Sequence, residues 1–95
     1  MKEINMESRP VHYKEVAYQK LLDEIVLLNL DSGIYYSTNE IGAKIWQLCD
    51  GNTDLKGITD KICEEYEVAE VEAEKDVLFY VEDLINEGLM FIKDE

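Results

Sequence analysis

Residues 27–36 read LLNLDSGIYY and predict a β-hairpin with a tight turn. The turn falls at Asp31-Ser32-Gly33, because glycine tolerates positive φ and aspartate hydrogen-bonds its own backbone. Before the turn, Ile25 to Leu30 is a run of β-branched residues and leucines. After it, Ile34-Tyr35-Tyr36 favours a half-buried pleated surface. An alternating segment, Lys14 to Leu22, predicts another strand ahead of the hairpin.

Three helical segments follow the hairpin. The first is predicted to begin within residues 37–40, where several residues can cap it, and to end at Asp50-Gly51. The second begins after Thr53 or Asp54, and the third runs from about residue 70 to Gly88. This order of elements predicts an α+β fold of winged-helix shape, with a three-stranded antiparallel sheet packed on a three-helix bundle.

Length and composition limit the chain to a single domain. Its 95 residues leave no room for a second core, and with 46% hydrophobic residues the chain is expected to fold. Residues 1–10 show no periodicity, and Arg9-Pro10 is typical of an extended arm. We therefore expect a flexible N-terminal arm over residues 1–12 and one domain over residues 13–95.

The chain is strongly acidic. Its formal charge of -13, from 22 acidic and 9 basic residues, repels nucleic-acid phosphates and anionic membranes and favours cationic partners. No apolar run approaches the roughly 20 residues that span a bilayer, and the N-terminus lacks the apolar segment of a signal peptide. We therefore expect a cytoplasmic protein with no nucleic-acid partner and no membrane partner.

Motifs for catalysis are missing from the sequence. It contains no P-loop, no glycine-rich dinucleotide turn and no nucleophile elbow, and no carboxylate pair stands out as an acid–base couple. The single histidine, His12, has no cysteine nearby, which argues against zinc. Cys49 and Cys63 fall among apolar helical positions and are expected to be reduced core residues. The sequence thus predicts no catalytic residue, no metal and no cofactor.

The third helix has the wrong charge for DNA. A winged-helix DNA binder needs lysine or arginine on its recognition helix and wing. Residues 70–87 instead carry seven acidic side chains and one basic side chain, Lys75. Each approach of a phosphate would be repulsive, so a winged-helix shape here does not imply DNA binding.

The third helix also has a broad apolar arc. With residues placed about 100° apart, the arc spans about 160°, wider than the about 100° stripe of an ordinary surface helix. Its first part comprises Val71, Leu78, Val81 and Ile85. Its second part comprises Ala73, Val77, Tyr80 and Leu84. The first part suffices for packing on the other helices, so the second either lines a groove, with Asp76 and Asp83 at its outer edge, or packs under the sheet.

The last strand of the hairpin is a candidate binding edge. If it borders the sheet next to the third helix, its unpaired N–H and C=O groups can pair with an extended peptide along Gly33 to Ser37. Alternate side chains of that peptide would enter the groove. Binding of this kind requires no catalytic residue.

A set of residues stands in a characteristic order between Val16 and Ile92. It consists of Leu27-Leu28-Asn29-Leu30, Gly33-Ile34-Tyr35-Tyr36, Asn39-Glu40, Ile45-Trp46, Leu48, Asp50-Gly51, Ile58, Tyr66, Asp76-Val77, Leu84 and Gly88-Leu89. In order and spacing the set resembles the PqqD-like family, the small recognition domains for ribosomally made peptides that are later modified. Thr38 departs from the pattern, since the family usually has a leucine before the asparagine.

The resemblance implies a binding mode. In the family, the leader segment of a precursor peptide adds as an extra strand beside the third strand of the sheet, and its side chains enter the groove against the third helix. Carried onto this chain, the binding edge is Ile34, Tyr35, Tyr36 and Ser37. The helix wall, chosen from the helical wheel, is Asp76, Val77, Tyr80, Asp83 and Leu84.

The resemblance also implies a role without catalysis. A free-standing member of this family is similar to the lasso-peptide adaptors that hold the leader and deliver the precursor to a separate leader protease or other modifying enzyme. The alternative within the family is a peptide chaperone that presents a precursor to a radical SAM enzyme. An acidic winged-helix module for dimerisation or regulation is the alternative from another class. We expect a monomer or a weak dimer.

Overall fold

The predicted strands and helices form in the predicted order. A computed structural model describes residues 4–22 and 24–93 of the chain. The elements are β1 (Pro10–His12), β2 (Val16–Leu21), β3 (Glu24–Asn29), β4 (Tyr35–Thr38), α1 (Glu40–Leu48), α2 (Leu55–Tyr66), α3 (Glu70–Asn86) and β5 (Met90–Ile92). The α+β architecture, with a three-stranded antiparallel sheet and three helices, is confirmed.

β3 is the central strand of the larger sheet, whose order is β2-β3-β4. Both neighbours pair with it antiparallel, so that Leu27 lies opposite Tyr18 on one side and Tyr36 on the other. Because side chains alternate along a strand, Ile25 and Leu27 share the face that packs on the helices, and both are fully buried. The strands β2 and β4 form the two borders of this sheet.

The turn between β3 and β4 is held by an asparagine. The Asn29 Oδ1 atom accepts hydrogen bonds from the backbone N–H of Asp31 at 2.9 Å and of Ser32 at 3.2 Å. Gly33 has φ +75°, a backbone conformation that suits glycine. The predicted turn is confirmed, but the side chains that bond its backbone are those of Asn29 and Ser32, whereas the sequence pattern pointed to Asp31.

Asn39 and Asp54 begin the first two helices. The Asn39 side chain accepts from the Gly42 N–H at 2.9 Å, and the Asp54 side chain accepts from the Gly57 N–H at 2.8 Å. Each cap satisfies a backbone donor that the first turn of a helix leaves free. The structure thus chooses among the caps that the sequence left open. α3 ends before Gly88, which has φ +75°.

The core lies between the larger sheet and the three helices. Trp46 of α1, Ile58 of α2 and Val81 of α3 are each no more than 1% exposed. Both cysteines are free thiols: Cys49 is buried and Cys63 is half-buried. Within residues 4–22 and 24–93, no helix is both long enough and apolar enough to cross a bilayer.

The described part of the N-terminal arm packs against the domain. β1 pairs antiparallel with β5, and the carbonyls of Met6 and Ser8 accept hydrogen bonds at 2.9 Å from the first turn of α2. The His12 ring stacks on Trp46, with ring centroids 4.4 Å apart. Residues 4–12 of the expected arm thus have contacts with the domain, and residues 1–3 lie outside the described residues. Strands of three residues are too short to show the periodicity on which that expectation rested.

Stability should depend on the protonation of His12. Burial lowers the pKa of His12 below its ordinary value of 6.5, against a smaller opposing effect of Asp50. The folded protein therefore binds this proton less readily than the unfolded chain. The free energy of unfolding should thus fall as the pH drops through about 6.5 and stop falling below the folded-state pKa.

The variant His12→Phe keeps an aromatic ring on Trp46 and removes the titration. Urea unfolding of both proteins between about pH 7.5 and about pH 5.5 should show the variant gaining stability relative to the parent as the pH falls. The carboxylates are common to both proteins and largely cancel in the difference. A difference that stays constant across this range would contradict the prediction.

Candidate functional site

One border of the sheet has free backbone groups. Among the described residues, β4 pairs with β3 on one side and with no strand on the other. The Asn29 N–H donates to the carbonyl of Ile34 at 3.0 Å. In an antiparallel ladder, the backbone groups of successive residues point alternately toward the paired strand and away from it. Ile34 and Tyr36 therefore direct their N–H and C=O groups toward β3. Tyr35 and Ser37 therefore direct theirs away from the sheet.

Tyr36 connects this border to α3. Its hydroxyl donates a hydrogen bond of 2.5 Å to Asp83 Oδ2, across 47 positions of sequence. Its ring lies edge-on to Tyr80, with centroids 6.4 Å apart and an angle of 69° between the rings. The open border and the third helix thus lie side by side, as the family resemblance implied.

The two tyrosines of this junction remain protonated at neutral pH. Burial, and to a smaller extent the hydrogen bond to Asp83, raises the pKa of Tyr36 above its ordinary value. Burial raises the pKa of Tyr80 to about 12, against a smaller opposing effect of Thr38. Tyr36 therefore stays a hydrogen-bond donor to Asp83.

The predicted edge residues occupy the open border. Ile34 is 58% exposed and Tyr35 is 69% exposed, while Ser37 is exposed and Tyr36 is half-buried. The side chain of Tyr36 lies on the helix side of the sheet, because it is opposite the buried Leu27. Tyr35, one residue earlier, points to the other face.

The predicted helix wall is divided between surface and core. Asp76 is exposed, and Tyr80 and Asp83 are half-buried beside β4, but Val77 and Leu84 are fully buried. The structure therefore brings Tyr80 and Asp83 to the border and places Val77 and Leu84 beneath it.

Most of the second part of the apolar arc of α3 is buried, which agrees with the packing alternative that the sequence left open, whereas the assignment of Val71 to the first, packing part is wrong. Ala73, Val77, Val81 and Leu84 form its buried stripe, whereas Val71, assigned to the packing side, is 65% exposed. A helical wheel gives the angles between side chains, but the position of the neighbouring sheet and helices decides which side becomes buried. Phe79, which falls on the polar side of the helical wheel, is 76% exposed.

Thr38 and Gly42 belong to this junction, and neither was predicted as a site residue. A Cβ atom on Gly42 would collide with the Thr38 hydroxyl and come within 2.9 Å of the Tyr80 ring. The close approach of β4, α1 and α3 therefore requires glycine at this position. A glycine within a helical pattern was the available signal, because such a residue usually has a packing reason.

No metal site is apparent in the described part of the chain. Residues 4–22 and 24–93 contain no group of three or more His, Cys, Asp or Glu side chains arranged to hold an ion.

The crowding around Gly42 should be measurable. Gly42→Ala should destabilise the protein by about 1–3 kcal/mol, because β4 and Tyr80 would have to shift. Gly57→Ala is a matched control, since Gly57 also donates its N–H to a helix cap but its added Cβ would meet only the side chains of Thr53 and Asp54. Urea unfolding of both variants tests the difference. Equal stabilities for the two variants would show that the junction is not tightly packed.

Comparison with protein families identifies a match over most of the chain. The family described as Coenzyme PQQ synthesis protein D (PqqD) matches residues 24–90, from β3 to the start of β5. Curated protein sequences gave no significant match.

Two solved structures are similar to this chain in both fold and sequence. TbiB1 in complex with the TbiA(beta) leader peptide is 29% identical, with a TM-score of 0.80 over 90% of this chain and 99% of that one. A lasso peptide synthetase B1 complexed with the leader peptide is 26% identical, with a TM-score of 0.72 over 87% of this chain and 98% of that one. With a family match that extends across the hairpin and all three helices, this chain belongs to the PqqD family.

Proposed function

We propose that this protein binds the leader segment of a ribosomally synthesised precursor peptide by strand addition at β4. The open backbone border of β4 beside α3 is the observation that supports this function most directly. Support also comes from the two similar structures, which are complexes with leader peptides.

Backbone pairing supplies the common part of the binding. The outward N–H and C=O groups of Tyr35 and Ser37 are four hydrogen-bonding positions in one row. An extended peptide pairs with them whatever its sequence, so this contact provides affinity but little selectivity.

Selectivity comes from the peptide side chains on the helix side. A peptide residue opposite Tyr36 projects to the same face as Tyr36, where it meets the Tyr80 ring and the Asp83 carboxylate. The proposed binding residues are Ile34, Tyr35, Tyr36, Ser37, Asp76, Val77, Tyr80, Asp83 and Leu84. Because Val77 and Leu84 are buried, they support the wall from below and contact the peptide only if the side chains above them move.

Charge favours a basic residue in the leader. Asp76 is exposed on α3, and Asp83 lies two turns further along the same side with one oxygen engaged by Tyr36. The chain as a whole carries -13, which also attracts a cationic peptide over longer distances.

Holding a peptide in extended form requires no catalytic residue. The protein delivers the bound precursor to a separate leader protease or modifying enzyme, and the similarity to a lasso peptide synthetase B1 favours this arrangement. Presentation of the precursor to a radical SAM enzyme is the second candidate, favoured by the PQQ-synthesis description of the matching family.

Leader binding should depend on the outward N–H of Tyr35. We expect the cognate leader, encoded by a neighbouring reading frame, to bind at micromolar concentration or tighter, about -8 kcal/mol. Tyr35→Pro removes that donor without removing a bond to β3 and should weaken binding at least tenfold, about 1.4 kcal/mol. Tyr35→Ala keeps the N–H and should weaken leader binding less. Tyr80→Ala removes the aromatic ring beside β4 and should weaken leader binding at least tenfold.

Tyr18→Pro is the matched control for the strand edge. It makes the same change on β2, the opposite border of the sheet, and should leave leader affinity unchanged in calorimetric titration. Equal affinities for the parent and Tyr35→Pro would exclude strand addition at β4.

Leader binding should weaken as salt is added, because exposed charges are screened. Asp76→Asn should cost about 0.5 kcal/mol at low salt, roughly twofold in affinity, and should reduce the salt dependence. Glu82→Gln removes an exposed carboxylate from the polar side of α3 and serves as the control. If leader affinity does not change with salt, the expectation of a basic residue in the leader is wrong.

A further inference from the structure

The opposite border of the sheet, β2, is also open. Among the described residues, β2 pairs with β3 alone, and its six residues are all exposed except the half-buried Val16. Its register with β3 is continuous from Val16 to Leu21, without a bulge or a proline. Bulges, prolines and charged side chains, lysine especially, are the usual protections of an edge strand. Lys20 is the only charged residue within β2.

Exposed apolar side chains collect along this border. Residues 13–22 include four large ones, Tyr13, Tyr18, Leu21 and Leu22, with exposures of 41%, 61%, 47% and 93%. Leu22 also has φ +56°, a conformation that asparagine, aspartate or glycine adopts at lower cost in a hairpin turn. A costly backbone conformation that displays an apolar side chain is a feature of binding surfaces.

The outward backbone groups of β2 follow from its bonds to β3. The Leu30 N–H donates to the Glu15 carbonyl at 3.0 Å, so odd-numbered residues of this segment face β3. Val16, Tyr18 and Lys20 therefore direct their N–H and C=O groups away from the sheet.

We propose that a second copy of this chain pairs antiparallel with β2 about a twofold axis at Tyr18. In this register Tyr18 lies opposite Tyr18 of the partner subunit, and Val16 lies opposite Lys20 of the partner subunit. All outward groups of the strand are then used, in three residue pairs that each exchange two hydrogen bonds. A twofold axis at Ala17 or Gln19 would use only two such pairs.

Side chains and charge fit a second copy. Lys20 faces Val16 of the partner subunit, so no like charges lie directly opposite each other. Residues 13–22 carry two lysines and one glutamate, whereas the whole chain has a formal charge of -13. Pairing here therefore keeps the acidic surfaces of the two copies apart. It also sets the exposed Tyr18 ring against Tyr18 of the partner subunit, which covers apolar surface.

The dimer leaves the proposed leader site free. Joining two copies through β2 makes one six-stranded sheet with a β4 strand at each outer border. Each dimer thus offers two sites for strand addition. Because the contact is one strand wide, it falls in the size range of weak interfaces and forms at high protein concentration.

Sedimentation velocity across a concentration series up to about 1 mM tests the pairing. The mass of the parent protein should rise from monomer toward dimer. Tyr18→Lys places like charges on the twofold axis and Tyr18→Pro removes an outward donor, so both should raise the midpoint concentration at least tenfold. Phe79→Lys, which makes a similar change at an exposed aromatic on α3, should leave the midpoint concentration unchanged.

Two outcomes would overturn the proposal. The first is a parent protein that stays monomeric throughout the series. The second is a dimer that Tyr35→Pro disrupts and Tyr18→Pro does not, which would assign self-pairing to β4. Leader titration of Tyr18→Lys separates this proposal from the proposed function, because leader affinity should be retained when dimerisation is lost.

Cysteine cross-linking tests the register. With Cys63→Ser as background, Tyr18→Cys places two thiols in a directly opposed pair, about 5.5 Å between Cα atoms, which allows a disulfide. Lys20→Cys places them about 14 Å apart along the strands. Oxidation should therefore cross-link the first variant and not the second. Efficient cross-linking of Lys20→Cys, or none of Tyr18→Cys, would contradict the twofold axis at Tyr18.

Discussion

A three-stranded open sheet satisfies the backbone of its central strand and leaves both outer strands half-paired. In this protein the central strand β3 contributes Ile25 and Leu27 to the core, so it is fixed in place by burial as well as by hydrogen bonds. Among the residues that the structure describes, the helices pack on one face of the sheet and no further strand pairs with either border. The unpaired groups along β4 and β2 are therefore a consequence of the architecture, and both proposed interactions make use of them.

The third helix determines what β4 can recognise. Its buried stripe of Ala73, Val77, Val81 and Leu84 anchors it in the core. The same packing brings Tyr80 and Asp83 beside β4, where Tyr36 bonds to the carboxylate. Because Gly42 permits the close approach of α1 to this junction, the position of the wall relative to the strand is set by packing. The geometry of the site therefore exists before a peptide binds. This lowers the entropic cost of ordering the protein side of the interface.

Electrostatics separates this domain from DNA-binding proteins of similar shape. The acidic side chains of α3 repel phosphates, so a winged-helix outline does not predict the ligand here. The charge is also unevenly spread along the chain. Residues 13–22 are slightly basic, and the remainder carries the acidic excess. The two open borders consequently differ in chemistry, with an acidic helix beside β4 and a near-neutral apolar strand at β2.

Local patterns in the sequence predicted the hairpin, the three helices and the acidity of α3, because turn propensity, helical periodicity and charge depend on neighbours in the chain. The ordered residue set likewise predicted the family. Only the tertiary structure decided that Val77 and Leu84 face inward, that Asn29 holds the turn, and that β1 pairs with β5. Each of these depends on contacts between distant segments, and a short strand or a broad apolar arc contains no information about which distant surface will cover it.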